Sequence, residues 1–361
     1  THTHTHTHTH THTHTHTSRR LLINDFAREI YLKKQSITIY LCKKDSSPFG
    51  GVFVFKPTHP MNRIQSYIVA GHGFRLIMPE SEHLWQGIAP AYSPFAAPIT
   101  GHPLLEVTVV DFIAPEDTSL ILRDPNPKEN EAKLDVWRIA GGYQFVMRTP
   151  FTDRQNCLLH ISDDFSTARV TLSGNDMERL YGLNSALMLA FLLATARLDT
   201  VVMHASAVVN DGKAYLFLGR SGTGKSTHSR LWLQAIAGTS LLNDDHPILR
   251  IDAQGSVIAY GSPWSGKTPC YHNASAPVGG IVRIRRASEN RIHRLSPIES
   301  YASLLTSSSG MTWQKELADC KDRTLQKIIT AVHCWTLECL PDEAAALLCA
   351  AATGKEERCN G

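Results

Sequence analysis

Short apolar runs broken by Pro, Gly, Asn and Asp dominate the chain as far as about residue 173. The runs 36–41 (SITIYL), 51–55 (GVFVF), 105–110 (LEVTVV), 133–139 (KLDVWRI) and 167–172 (TARVTL) are β-type, several alternating with period two. Gly141-Gly142 and Asp211-Gly212 stand where hairpins turn, and the proline-rich span 88–98 reads as loop. The pattern then changes to a helix over 176–197, whose uncharged stretch 184–196 is too short to span a bilayer and reads as a core helix.

Strand-like runs return at 200–209 and 215–219, followed by a glycine-rich loop and a helical pattern from Thr227. A further strand, 241–245, ends in acids and is stopped by His246-Pro247. Runs at 247–251 and 256–260 follow. The runs 280–286 and 291–295 predict a hairpin turning at Ser288-Glu289-Asn290. A helix over 313–329, a strand over 331–339 and a helix from Pro341 to 352 complete the chain.

The resulting expectation is an α/β protein whose second half is a P-loop domain over 200–361. A β-rich N-terminal domain over 18–175 precedes it, joined by a connecting helix over 176–199. The strict Thr-His alternation of 1–17 reads as an expression tag, so its histidines are set aside.

The stretch AYLFLGRSGTGKST, 214–227, carries the most specific chemistry. Gly219, Gly224, Lys225 and Ser226 satisfy G-x-x-x-x-G-K-[ST] between a strand and a helix start. Glycines let the backbone of Gly219, Arg220, Ser221, Gly222, Thr223 and Gly224 wrap a phosphate with its amides, and the helix opening at Lys225, Ser226 and Thr227 offers its positive end to the same anion. Lys225 can reach the β- and γ-phosphates, and the Ser226 hydroxyl can ligate magnesium. ATP and Mg²⁺ are therefore the expected cofactors.

Asp244 and Asp245 end a strand downstream of this loop, where phosphoryl transfer needs a carboxylate for the metal and another to accept the acceptor's proton. Adjacent carboxylates repel, which would raise one of them and suit a base; two solvated aspartates are the plain alternative. His204 is either a satisfied core histidine or, if its strand neighbours the one carrying Gly219, a group near the γ-phosphate. The segment Trp264-Ser265-Gly266-Lys267 can either close over an acceptor or form a turn with a packed indole. His228 and Arg230 on the loop helix are acceptor contacts or exposed helix positions. Arg283, Arg285, Arg286, Arg291 and Arg294 fall in the expected hairpin, where the wet face of a ribbon would account for them.

Lys+Arg exceeds Asp+Glu only by 36 to 33, so nothing calls for nucleic acid or an anionic membrane. The eight cysteines form no C-x-x-C pair and no secretory signal is recognised, which leads to an expectation of free, mostly buried thiols in a cytoplasmic protein.

The run 202–208 (VMHASAV), the loop GRSGTGKS and the acidic end Asn243-Asp244-Asp245-His246 resemble, in order and spacing, the catalytic domain of HPr kinase/phosphorylase and its phosphoenolpyruvate-carboxykinase relatives. The resemblance implies that His204, Asp244 and Asp245 join Lys225 and Ser226 at an active centre. Segments 261–267 and 280–295 are similar to those of HPr kinase-like proteins associated with peptide modification, some of which phosphorylate serine hydroxyls. The expected function is an ATP- and Mg²⁺-dependent kinase with a hydroxyl acceptor, a peptide serine or a small compound. Asp245 would be the metal ligand, Asp244 the base, His204 its assistant, and an oligomer is compatible. The alternative is a nucleotide-sensing module without phosphotransfer; carboxylation chemistry would need an arginine cluster and a second metal site not assembled from the sequence.

Overall fold

Tight hairpins set up most of the strand pairing. Asp211 and Gly212 both take positive φ (48° and 71°), the geometry of a two-residue turn whose twist matches its strands, and they register β10 (Ala205–Asn210) against β11 (Lys213–Leu218). Ala70 and Gly71 do the same between β1 (Asn62–Val69) and β2 (His72–Pro79). The structure is a computed structural model that describes residues 61–116, 119–123, 133–149, 154–266 and 268–354. The expected tag, the runs 36–41 and 51–55, Cys42, Cys359 and Lys267 lie outside the described residues.

Among the described residues the chain is a mixed α/β protein with two sheets and six α-helices. The first sheet adds β3 (Leu105–Val109), β4 (Ser119–Arg123), β5 (Lys133–Ile139), β6 (Gly142–Arg148), β7 (Gln155–Ser162) and β8 (Thr167–Leu172), in the order β1-β2-β3-β8-β7-β6-β5-β4. The ladder from β4 to β8 is antiparallel as expected, but β2/β3 and β3/β8 run parallel.

The span 88–98, expected to be loop, instead opens inside helix α1 (Leu84–Tyr92), which contains Pro90. Leu84, Trp85, Ile88 and Tyr92 are buried along it, and Tyr92 Oη donates to Asn184 Oδ1 at 2.8 Å. Burying that stripe outweighs the hydrogen bond that proline removes. Helix α2 (Asp176–Thr195) starts at a capping box in which Asn175 and Glu178 satisfy each other's backbone amides. Its Leu183, Leu187, Ala190 and Phe191 share a core with Phe74, Leu76, Val107, Phe145 and Leu159 of the first sheet, and with Val202, Ile248 and Trp264 from later in the chain. No helix among the described residues is long and apolar enough to cross a membrane.

The second sheet contains β9 (Thr200–Val202), β10, β11, β12 (Ser240–Asp245), β13 (Ile248–Ile251), β14 (Val257–Tyr260), β15 (Ser275–Arg286), β16 (Arg291–Arg294) and β17 (Cys334–Cys339). The twelve-residue β15 holds it together: its first residues pair with β14, and the remainder lies parallel to β11 on one side and β17 on the other. The expected 280–295 hairpin does not form, because β17 inserts between β15 and β16 and pairs with both. Apolar residues on both faces of β15 and β17 favour this central placement over a two-stranded ribbon.

Helices α3 (Lys225–Ala235) and α6 (Glu343–Thr353) cover one face through Trp232, Ala345, Ala346 and Cys349 against Phe217, Val282 and Leu337. Helices α4 (Pro297–Leu305) and α5 (Lys315–Ala331) cover the other through Leu304, Leu325 and Ile328 against Leu216, Leu218 and Ile281. The described cysteines, at 157, 270, 320, 334, 339 and 349, are free and buried.

Candidate functional site

Strand β11 is buried along most of its length and gives out at Leu218, where Gly219 turns the chain away from the sheet. A side chain there would bring a Cβ within 2.4 Å of Thr223 Oγ1 and 3.2 Å of the Ile284 carbonyl, so the fold of the loop requires glycine at this position. Thr223 ties the loop to itself by donating from Oγ1 to Arg220 O at 2.8 Å. Gly224 (φ 109°) is the N-cap of α3 and has no side chain to cap the helix. The first amides of α3 are thus left without a side-chain acceptor and carry the positive end of the helix dipole, the usual arrangement of an anion site.

Lys225 bends back over this loop. Its ammonium donates to Gly219 O at 3.0 Å and to His204 Nε2 at 3.2 Å. An ammonium can only donate, so Nε2 of His204 accepts, leaving Nδ1–H to donate to Asp245 Oδ1 at 3.2 Å. His246 approaches the other carboxylate oxygen with Nδ1 at 3.2 Å. Burial opposes ionisation of Asp245, but the hydrogen bonds from His204 and His246 outweigh it and hold the carboxyl well below the ordinary range. Burial pushes the Lys225 ammonium down, opposed by Asp245 and Asp244 and reinforced by Arg283.

The sequence expectation placed His204 near the loop only if its strand neighboured β11. The register supplies that neighbour: Ala205 pairs with Leu218 on β11 and with Asp245 on β12, so His204 comes level with the loop and with the acids. The main chain of His204 is held from outside the sheet by a bond from its amide to Ser307 O at 2.7 Å.

Asp244 and Asp245 do not crowd each other as expected, since adjacent residues of a strand face opposite sides. Asp244 pairs with Ser206, whose Oγ lies 2.5 Å from Ser229 Oγ on α3, so its carboxyl faces the helix side of the sheet. It is buried, and its Oδ1 has no hydrogen-bond partner among the described residues. A buried, unsatisfied carboxylate oxygen is costly unless a cation or donor completes it.

Asn243 organises the far side of these acids. Its Oδ1 accepts from the amides of Asp245 and His246 at 3.0 and 2.8 Å, while Nδ2 donates to Trp264 O at 3.2 Å. The segment 261–266 is thereby bound to the end of β12, with Gly266 N donating to Asp244 O at 3.1 Å. Ser265 bridges to Asp245 and donates from Oγ to Thr268 O at 2.7 Å.

Trp264 is not available to stack on a ligand: it is 2% exposed, and its Nε1 donates to Tyr92 Oη at 2.9 Å within the core shared with Phe191. His228 is likewise interior. It accepts from Trp232 Nε1 at 3.1 Å and meets Phe217 edge-on, and burial lowers its pKa to about 4. Arg230 is exposed and directed toward Thr227 Oγ1 at 3.4 Å. The structure therefore gathers Lys225, His204, Asp244 and Asp245 with the loop, and leaves Trp264 and His228 in the core.

His246 and Asn243 complete the site without having been singled out for their own chemistry. His204, Asp245 and His246 bring three ligand atoms within 4.8 Å of one another. Two imidazoles and a carboxylate form a donor set suited to borderline transition ions, whereas the oxygens of Asp245, Asp244 and Ser226 are the type a magnesium ion takes. Beside the loop lies an open cleft of about 1470 Å³, bounded by the ends of β15 to β17 and by α4. No protein-family model matches the chain, and a comparison with curated proteins finds no significant match.

Proposed function

We propose that the chain is an ATP- and Mg²⁺-dependent kinase that transfers the γ-phosphate to a hydroxyl acceptor, with residues 200–361 as a P-loop domain of the HPr kinase/phosphorylase-like type behind a β-rich N-terminal domain. The observation that carries this reading is the meeting of Lys225, His204 and Asp245 at the loop, with the unpartnered Asp244 Oδ1 on the other face of the same strand end. The uncapped N-terminus of α3 and the close-wrapped loop at Gly219 suit a polyphosphate, and the orphaned Asp244 oxygen, with no donor among the described residues, suits a proton acceptor.

In this reading the amides of Arg220 to Lys225 hold the phosphates, and Asp245 with Ser226 holds the metal. The bound metal–nucleotide supplies the transferable phosphoryl group and neutralises its charge. Lys225, already stripped of part of its water by burial, presents a compact positive charge where negative charge develops. His204 keeps Asp245 ionised and oriented, as a metal ligand should be. Asp244 accepts the proton of the attacking hydroxyl.

Incubation with γ-labelled ATP, Mg²⁺ and a panel of hydroxyl acceptors tests the proposal. Lys225→Ala should lower transfer by roughly 100-fold, corresponding to about 3 kcal/mol at the transition state. Full turnover in that variant would remove the assignment, and tight nucleotide uptake without transfer to any acceptor would favour a sensing module.

A further inference from the structure

Four arginines from two distant parts of the chain come together at the cleft beside the loop: Arg220 from the loop and Arg283, Arg285 and Arg286 from the end of β15. The parallel register sets Arg283 opposite Leu218, so β15 carries the next two arginines past the level at which β11 turns into the loop. Arg283 is anchored. Its Nε donates to Ser303 Oγ at 2.7 Å, and its Nη2 donates to Ser303 O at 2.6 Å, Thr306 Oγ1 at 2.9 Å and Ser307 Oγ at 3.0 Å, all on or just after α4. Arg286 donates to the Gly222 carbonyl and so ties the same strand to the loop.

Arg220 and Arg285 make no side-chain hydrogen bond or ion pair among the described residues. Burial, then the charges of Arg285 and Arg220, push the Arg283 pKa down, which reports like charges held together rather than dispersed. The two carboxylates of the cleft are too few to neutralise the four arginines. Glu299 is engaged in the capping box of α4, accepting from the amide and hydroxyl of Ser296, and Glu338, level with Arg285 and Arg291 on the neighbouring strands, makes no side-chain hydrogen bond or ion pair among the described residues.

A cluster of guanidinium groups on a fixed strand, with free donors and too few acids, is built to receive a bidentate anion. The anion is not the nucleotide's own polyphosphate in the reading above, because the loop amides and Lys225 already take that. The cleft is lined by His204 and the loop at one end and by the arginines and the hydroxyl-rich tail of α4 along its wall. We propose that it holds the anionic end of the acceptor, a small hydroxyl compound whose own phosphate or carboxylate group is gripped by Arg283, Arg285 and Arg220 while its hydroxyl extends past the loop toward the strand end that carries Asp244. This rests on the kinase reading for the word acceptor; the anion site itself does not.

The test is a ³¹P NMR titration of inorganic phosphate into the full chain, with the loop filled by Mg²⁺ and a non-hydrolysable ATP analogue. The wild-type protein should bind phosphate saturably. Arg285→Gln should weaken binding by roughly tenfold and Glu338→Gln should strengthen it, since the two residues pair across β15 and β17. Glycerol 3-phosphate or D-glycerate should displace the phosphate, and which of them does so separates a phosphate-bearing from a carboxylate-bearing acceptor; uncharged glycerol should not. Equal phosphate affinity in wild type and Arg285→Gln, or displacement by glycerol as readily as by the charged compounds, would overturn the proposal. The Lys225→Ala protein without nucleotide should retain phosphate binding at the arginines; the kinase reading would fail separately if wild type took up no ATP analogue.

Discussion

His72 offers the most direct check on the energetics of the fold. It is 6% exposed, with Nε2 2.9 Å from Thr200 Oγ1. The Thr200 hydroxyl gives its proton to Leu198 O at 2.8 Å, so the imidazole Nε2 is the donor and a second proton would have to go on Nδ1. Burial and then the nearby Arg250 charge lower the pKa from 6.5 to about 4. In the unfolded chain His72 takes up a proton as the pH drops through its ordinary value, while in the folded protein it stays neutral until about pH 4. The unfolded state therefore binds more protons in this window. The stabilisation is complete above about pH 6.5 and is lost as the pH falls toward about 4. At ~1.4 kcal/mol per pH unit, that interval corresponds to about 3 kcal/mol.

Urea unfolding of wild type and His72→Gln at pH 7.5, 6, 5 and 4 measures it. The loss of stability between the highest and lowest pH should be smaller in the variant by about 3 kcal/mol. His228, also lowered to about 4 by burial, adds to the slope of both proteins and cancels in the comparison. The same slope in both proteins would show that His72 titrates as freely as in the unfolded chain, and the burial argument would fail.

Further outcomes follow from the site. Gly219→Ala places a Cβ 2.4 Å from Thr223 Oγ1 and should weaken nucleotide binding by at least about tenfold, or ~1.4 kcal/mol, by calorimetry; unchanged affinity would mean that the loop does not hold the phosphates as described. Trp264→Phe removes the bond to Tyr92 Oη and should cost about 1 kcal/mol of stability while leaving nucleotide affinity intact; a loss of affinity at full stability would return the indole to the ligand site. Asp244→Asn should fold and bind nucleotide but transfer phosphate poorly, measured by single-turnover labelling, and undiminished transfer would assign the proton acceptor elsewhere.

The local parts of this protein were legible in the sequence because their causes are local. An apolar run, a glycine-rich turn and helical periodicity within 214–233 define a strand, a loop and a helix, and β11, the loop and α3 take those places. Asp211-Gly212 marks its turn through backbone geometry that only a few residues tolerate, whereas the turn expected at Gly141-Gly142 falls one residue earlier, at Ala140-Gly141, and Gly142 already pairs with Ile139 as the first residue of β6. The run 241–245 carries its acids to a strand end, as its pattern requires.

What a segment packs against is not encoded in its own pattern. The runs 280–286 and 291–294 look like a hairpin, yet β17, some forty residues on, separates them by pairing with both. The span 88–98 reads as a proline-rich loop, but burial of Ile88 and Tyr92 in the core shared with α2 makes its first part, 88–92, helical. The indole of Trp264 suits a ligand or a core equally well, and only the hydroxyl of Tyr92, from the other sheet's side of the chain, decides for the core. The arginines of β15 read as the wet face of a ribbon until the parallel register sets them beside Arg220 and under α4. Composition and periodicity determined which segments are strands, helices and turns; strand order and long-range burial decided which side chains meet, because pairing partners compete over the whole chain and the winner is the arrangement that covers every apolar face.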